Sequence, residues 1–167
     1  MTTCYINGKY KPLSKSTVSV TDRGYQFSDG VYEVIAVFKN EFVDFKLHLN
    51  RLFVSLKKMD MKINLNKNQI ESIIKKIKKI NQLEMGIVYI QITRGDQNPR
   101  EHKYSNNLKP NIVIYSIIKN FEYLNKIRKR LLIFDTVNLF KEKKYLKLTW
   151  QSKFINHIHR LHEIKVA

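Results

Sequence analysis

The feature that most constrains the fold of this chain is a change of pattern within residues 22–38, where a polar segment leads directly into an alternating β-strand. Gly24 and Gly30, two of only five glycines in the sequence, fall in the polar segment. Glycine is favoured where the backbone takes a positive φ or closely approaches another group, so they predict a loop of defined shape. Side chains alternate along the strand: one face carries Glu33, Ile35 and Val37, and the other carries Tyr32, Val34, Ala36 and Phe38. An acid and a phenol are thus placed side by side where the loop meets the strand.

The remaining patterns predict an α+β fold. Asn7-Gly8 between two short β-rich runs is a strong hairpin signal. Apolar side chains with helical spacing predict helices over residues 46–59 and 67–83. Further strands are predicted at 3–6, 9–12, 42–45, 87–94, 111–118 and 131–134.

Composition is that of a soluble, cytoplasmic protein that binds neither membrane nor nucleic acid. The chain has 167 residues, 43% of them hydrophobic, which is enough for one domain and part of another. Its single cysteine excludes an internal disulfide, and its longest apolar run is too short to cross a bilayer. The net charge of +17 is consistent with an electrostatic partner, but the lysines are scattered along the chain, so a nucleic-acid-binding module is only a rival interpretation.

The motif D-R-G-Y-Q-F-S-D-G-V-Y-E-V at residues 22–34 resembles a segment near the start of D-amino-acid aminotransferases, which are class IV (fold type IV) pyridoxal-phosphate enzymes. The resemblance implies that residues 1–119 form the small N-terminal α+β domain of this fold. Residues 120–167 are then the linker and the truncated start of the large cofactor-binding domain. The implied reaction is amino transfer between a D-amino acid, such as D-alanine, and a 2-oxo acid.

The same resemblance implies roles for four side chains. Tyr32 matches the active-site tyrosine of G-V-Y-E, and Arg51, in L-H-L-N-R-L, matches an arginine that contacts the cofactor phosphate. Arg100 and His102, in P-R-E-H, match a pair that binds the substrate carboxylate with the tyrosine. Branched-chain aminotransferases and aminodeoxychorismate lyases generally carry other residues in this loop, which favours a D-amino acid substrate. His48 is interpreted as a packing or surface residue.

Two lysines are candidates for the catalytic lysine that holds the cofactor in this family. Lys144 occupies the position in a gap-free register from Asp135, whereas Lys153 keeps a K-x-x-N pattern but needs an insertion. The tail from His157 to His162 is interpreted as a solvated helix and not as a metal site, because it lacks a fourth ligand of recognisable spacing.

The length of the chain adds a further expectation, since it is a little over half the usual length of the family. We therefore expect weak or absent binding of pyridoxal phosphate by the chain alone, and activity that depends on a complementing C-terminal fragment. The resemblance also implies a homodimer for any active form, because in the family the arginine and histidine reach across a homodimer interface. The rival is a non-catalytic remnant or a partner-binding domain.

Overall fold

A computed structural model describes residues 1–121 of the chain, which form one compact unit. Its elements are β1 (Thr3–Ile6), β2 (Lys9–Pro12), a 3-10 turn (Leu13–Lys15), α1 (Arg23–Phe27), β3 (Gly30–Phe38), β4 (Glu41–Phe42), α2 (Phe45–Lys58), α3 (Lys67–Ile80), β5 (Gly86–Thr93) and β6 (Asn111–Ile118). The strands form one antiparallel sheet of order β2-β1-β6-β5-β3-β4. The predicted α+β class is confirmed. The boundary at residue 119 stays a prediction, and the strand predicted at 131–134 lies outside the described residues.

The N-terminal hairpin is confirmed and joins the last described strand. Asn7 and Gly8 both have positive φ, 46° and 91°, as a tight two-residue turn between twisted strands requires. β1 then pairs with β6, where Tyr5 lies opposite Ile114. The hairpin therefore extends the sheet beyond β6.

The hydrophobic core lies between the sheet and the helices α2 and α3. On the helices, buried apolar side chains recur at helical spacing: Leu49, Leu52 and Leu56 on α2, and Ile70, Ile74 and Ile77 on α3. They pack in one cluster with the sheet residues Ile35, Val88, Ile90 and Ile114, none of which is exposed. Glu33 lies on the same face of β3 as Ile35. Its carboxylate is therefore buried between the sheet and the helices.

Three predicted segments differ from the structure by more than a shift of one residue. The strand predicted at 42–45 ends at Phe42, because Asp44 is left-handed (φ 51°) and α2 begins at the next residue. α3 ends at Ile80 and not at residue 83, because left-handed Gln82 (φ 48°) turns the chain towards β5. The segment before β3, predicted as a loop, contains α1, whose first turn is capped by the Asp22 side chain accepting from the Gly24 amide.

The two glycines of this segment allow the end of β5 to approach closely. A Cβ at Gly24 would lie 2.2 Å from Cγ2 of Thr93, and a Cβ at Gly30 would lie 2.8 Å from the carbonyl oxygen of Ile92. Close approach, and not positive φ, is therefore the reason for glycine at both positions.

The packing on α3 predicts a contrast between two isoleucines of that helix. Ile74→Ala is expected to lower the free energy of unfolding by about 2–5 kcal/mol, because Ile74 is fully buried. Ile80→Ala, at a side chain that is 42% exposed, is the matched control and is expected to cost about 0.5 kcal/mol or less. Urea unfolding of the two variants measures the difference. Equal losses would contradict the orientation of α3.

Candidate active site

Two side chains of α2 contact the carboxylate of Glu33. His48 and Arg51 are one helical turn apart, and both reach the Glu33 carboxylate, which is 2% exposed. Arg51 Nε donates to Oε1 at 2.6 Å and Nη2 to Oε2 at 2.7 Å, while His48 Nδ1 lies 2.9 Å from Oε2. His48 is itself buried, in agreement with its interpretation as a packing residue. Its pairing with Glu33 was not predicted, although an acid on the apolar face of β3 was a signal that a buried carboxylate needs partners.

This cluster keeps Glu33 ionised and leaves part of Arg51 free for a ligand. Burial raises the pKa of Glu33, but hydrogen bonds from Arg51 and His48 outweigh it, so the pKa lies below its usual value. The Arg51 side chain remains 53% exposed. The bonds from Arg51 to Glu33 use Nε and Nη2. The third nitrogen, Nη1, donates to no acceptor within residues 1–121. A guanidinium held on one edge and open on the other is suited to an anion.

Tyr32 lies on the opposite face of β3 from Glu33 and is 51% exposed. Its ring stacks on Tyr89 of β5, with centroids 6.1 Å apart, and Tyr89 in turn contacts Tyr115 of β6. The pKa of Arg51 is raised, mainly by its hydrogen bond to Glu33. The candidate tyrosine and the acid that holds Arg51 therefore lie on opposite faces of β3.

Arg100 and His102 meet on one aromatic ring. The Cζ atom of Arg100 lies 4.4 Å from the ring centroid of Phe27, and the ring of His102 lies 5.4 Å from the same centroid. Phe27 is the last residue of α1, so this short helix carries the ring to the loop between β5 and β6. Both predicted side chains therefore contact Phe27, which is a contact residue that the sequence patterns did not reveal.

A buried ion cluster connects this region to the end of α2. The Asp29 carboxylate accepts from Arg23 Nε at 2.8 Å and from Arg94 Nε at 2.8 Å. Burial raises the pKa of Asp29, but hydrogen bonds from Arg94 and then Arg23 outweigh it and hold that pKa below its usual value. Arg94 also donates to the carbonyl oxygens of Met59 and Asp60. Arg23 and Asp29 stand in the motif of residues 22–34, and Arg94 ends the strand predicted at 87–94, but no pattern indicated that the three pair.

Several predictions from the sequence concern residues or features outside this site. Lys144, Lys153 and the histidines of the tail lie outside the described residues. Residues 1–121 contain no group of three or more His, Cys, Asp or Glu side chains placed to hold a metal ion. In the same range, no helix combines the length and the apolar character that crossing a membrane requires.

The family model described as "Amino-transferase class IV" matches residues 30–145, which is more than half of the chain. D-alanine aminotransferase of Listeria monocytogenes is 39% identical over 97 residues, covering 58% of this chain and 34% of the relative. D-alanine aminotransferase of Bacillus licheniformis is 36% identical over 110 residues, covering 66% and 38%. The chain therefore matches well under half the length of these relatives.

The fold has neighbours among solved structures. The branched-chain amino acid aminotransferase of Escherichia coli superposes with a TM-score of 0.66 at 15% identity, covering 71% of this chain and 40% of that protein. At this level of identity the likeness shows the fold alone. It agrees with the predicted small N-terminal domain of a fold type IV enzyme.

The Glu33 cluster predicts a pH-dependent contribution to stability. Glu33→Gln is expected to lower the free energy of unfolding at pH 7 by about 1–3 kcal/mol, because the bonds of the ionised carboxylate are weakened. Since the pKa of Glu33 is lower in the folded chain, this contribution is present above the unfolded pKa of about 4.3 and is lost as pH falls through the folded value. Urea unfolding of both proteins between about pH 3 and 7 measures it.

Glu71→Gln is the control for this experiment. Glu71 pairs with Lys75 at 2.6 Å on the partly exposed surface of α3, where an ion pair contributes about 0–1 kcal/mol. An equal loss in both variants, or a loss at Glu33 that does not shrink in acid, would contradict the buried pair.

Proposed function

Because the chain belongs to the class IV amino-transferases, we propose that its residues take part in amino transfer between a D-amino acid and a 2-oxo acid. The observation that carries the proposal is the contact that both Arg100 and His102 make with Phe27. A planar guanidinium can meet both oxygens of a carboxylate, and a neighbouring imidazole adds a further donor. The D-alanine aminotransferase relatives support D-alanine as the substrate to test first.

The described residues fit one part of a pyridoxal-phosphate site. Enzymes of this class use pyridoxal phosphate. When bound, this cofactor supplies an electron-accepting ring that stabilises negative charge at the substrate Cα. The Nη1 group of Arg51 points its N–H groups to no protein acceptor within residues 1–121, so it can donate to a phosphate oxygen while Glu33 holds the other edge of the guanidinium.

Each remaining candidate has a proposed task. Arg100 and His102 bind and orient the substrate carboxylate, and the Tyr32 hydroxyl donates to the same group. Lys144, or Lys153 in its place, holds the cofactor and moves the proton at the substrate Cα. We propose that the active form is a homodimer or a complex with a complementing fragment, because in the enzymes it resembles the arginine and histidine act across a homodimer interface.

The first test concerns the cofactor. We expect the 167-residue chain to bind pyridoxal phosphate weakly or not at all, because Arg51 and one lysine supply few of the contacts that hold a phosphorylated cofactor. Borohydride reduction followed by peptide mass spectrometry detects any lysine adduct. A stoichiometric adduct on a single lysine would contradict this expectation.

The same measurement distinguishes the two lysines. Any adduct that does form is expected to disappear in Lys144→Ala and to persist in Lys153→Ala. The opposite result would show that the gap-free register is wrong and that Lys153 is the cofactor lysine.

The second test concerns the carboxylate. Arg100→Ala is expected to weaken binding of pyruvate by about tenfold or more, because a charge-assisted contact is lost. NMR titration of the full chain with pyruvate gives the dissociation constants. Lys103→Ala is the matched control, since it removes one positive charge from the same exposed loop. Similar weakening in both variants would indicate attraction to the overall charge, and not a carboxylate site.

A further inference from the structure

Arg23 is a buried arginine with contacts to the backbone of the loop that carries Arg100 and His102. It is the first residue of α1 and only 3% exposed. Its Nη1 donates to the carbonyl oxygen of Glu101 at 2.7 Å, and its Nη2 donates to that of His102 at 2.9 Å. The two acceptors follow Arg100 directly in the sequence, so the guanidinium fixes the backbone between and beside the two candidate carboxylate-binding residues.

The other edge of the Arg23 guanidinium is bonded to Asp29, which sets the orientation of the group. Nε donates to Asp29, whose carboxylate is held in turn by Arg94. The planar guanidinium thereby presents one edge to a fixed carboxylate and the other to two successive carbonyl groups, which a lysine ammonium is too small to do at once. α1 itself is fixed because its capping residue, Asp22, also accepts from Thr93 and Asn111 at 2.7 Å.

A second buried side chain secures the following part of the loop. Gln97, 6% exposed, donates through Nε2 to the carbonyl oxygen of Lys103 and accepts from the amide of Ser105. Its Oε1 is also 3.4 Å from Nη1 of Arg23. The backbone over residues 101–105 is therefore bonded at four groups to two buried side chains.

Arg23 also lies close to the ring of Phe27, which Arg100 and His102 contact. Its Cζ atom lies 4.6 Å from the centroid of Phe27, and that of Arg100 lies 4.4 Å from it. Both guanidinium groups therefore contact the same ring, and the bonds from Arg23 to the loop backbone connect that ring to the segment that carries Arg100.

We propose that Arg23 is a positioning residue, which holds the loop of residues 100–102 so that Arg100 and His102 present an ordered pair of donors to a carboxylate. This deepens the proposed function and rests on it for the identity of the ligand. Ordering the loop in advance removes the entropy cost that a carboxylate would otherwise offset on binding. Arg23 does not itself contact the ligand.

The experiment uses the full 167-residue chain and the variant Arg23→Lys, which keeps the positive charge beside Asp29. Three readouts are expected to change. Hydrogen exchange at the Ser105 amide accelerates, the ring-current shift of the Arg100 side-chain protons over Phe27 diminishes, and the dissociation constant for pyruvate rises about tenfold. Exchange at the central strand residues Ile90 and Ile114 stays as in the wild type, which separates the effect from general loss of stability.

Lys103→Ala is again the control and is expected to leave the Ser105 exchange and the Arg100 shift unchanged. If Arg23→Lys does not fold, the wild-type chain decides: slowly exchanging Arg23 Nη protons with nuclear Overhauser contacts to residues 101 and 102 support the proposal, and rapidly exchanging protons without them overturn it.

Failure of this inference is distinguishable from failure of the proposed function. Unchanged Ser105 exchange and Arg100 shift in Arg23→Lys would overturn the positioning role even if the wild type binds pyruvate through Arg100. A wild type that does not bind pyruvate would reject the carboxylate site, while accelerated exchange and a diminished shift in the variant would still support the role of Arg23 in ordering the loop.

Discussion

The Asp29 carboxylate, buried between the guanidinium groups of Arg23 and Arg94, is the interaction on which the arrangement of the candidate site depends. A buried carboxylate is costly unless it is paired and hydrogen-bonded, and here it has two partners far apart in the sequence. Through Arg94 it is connected to the backbone after α2, and through Arg23 to the loop after β5. One carboxylate thus adds side-chain bonds to connecting segments that are also joined by backbone hydrogen bonds, such as that from Arg23 N to the carbonyl oxygen of Gly95.

Glu33 orients an arginine in a similar way between β3 and α2. Its two acceptor oxygens accept from Arg51 and leave the outer edge of that guanidinium exposed. Because the carboxylate is buried and the guanidinium is half exposed, the pair fixes the direction of Arg51 in addition to contributing to stability. In both clusters a buried acid orients an arginine whose remaining N–H groups have other uses: backbone carbonyls for Arg23, and the proposed phosphate for Arg51.

The sequence predicted those parts of the fold that depend on periodicity. The alternation of residues 31–38, the isoleucine stripe of α3 and the Asn7-Gly8 turn each have a local cause, and the structure confirms each element. α1 escaped prediction because its five residues are too short for a helical period and begin with Arg-Gly. The predicted ends of α2 and α3 differ from the observed ends because left-handed residues such as Asp44 and Gln82 leave no clear pattern in the sequence.

For the candidate site, the resemblance identified the candidate residues but not the residues that hold them in place. Arg51, Arg100 and His102 were named from motifs, yet Glu33, Phe27 and Arg23, which hold them, became evident only from contacts across the chain. Such contacts join residues separated by 18 to 79 positions, so no local pattern contains them. A chain of charge +17 attracts anions at long range, but that attraction is screened by salt and does not distinguish a carboxylate from any other anion. Discrimination requires donors held at fixed positions, and in this chain the fixed positions come from buried acids that direct arginines, not from the number of positive charges.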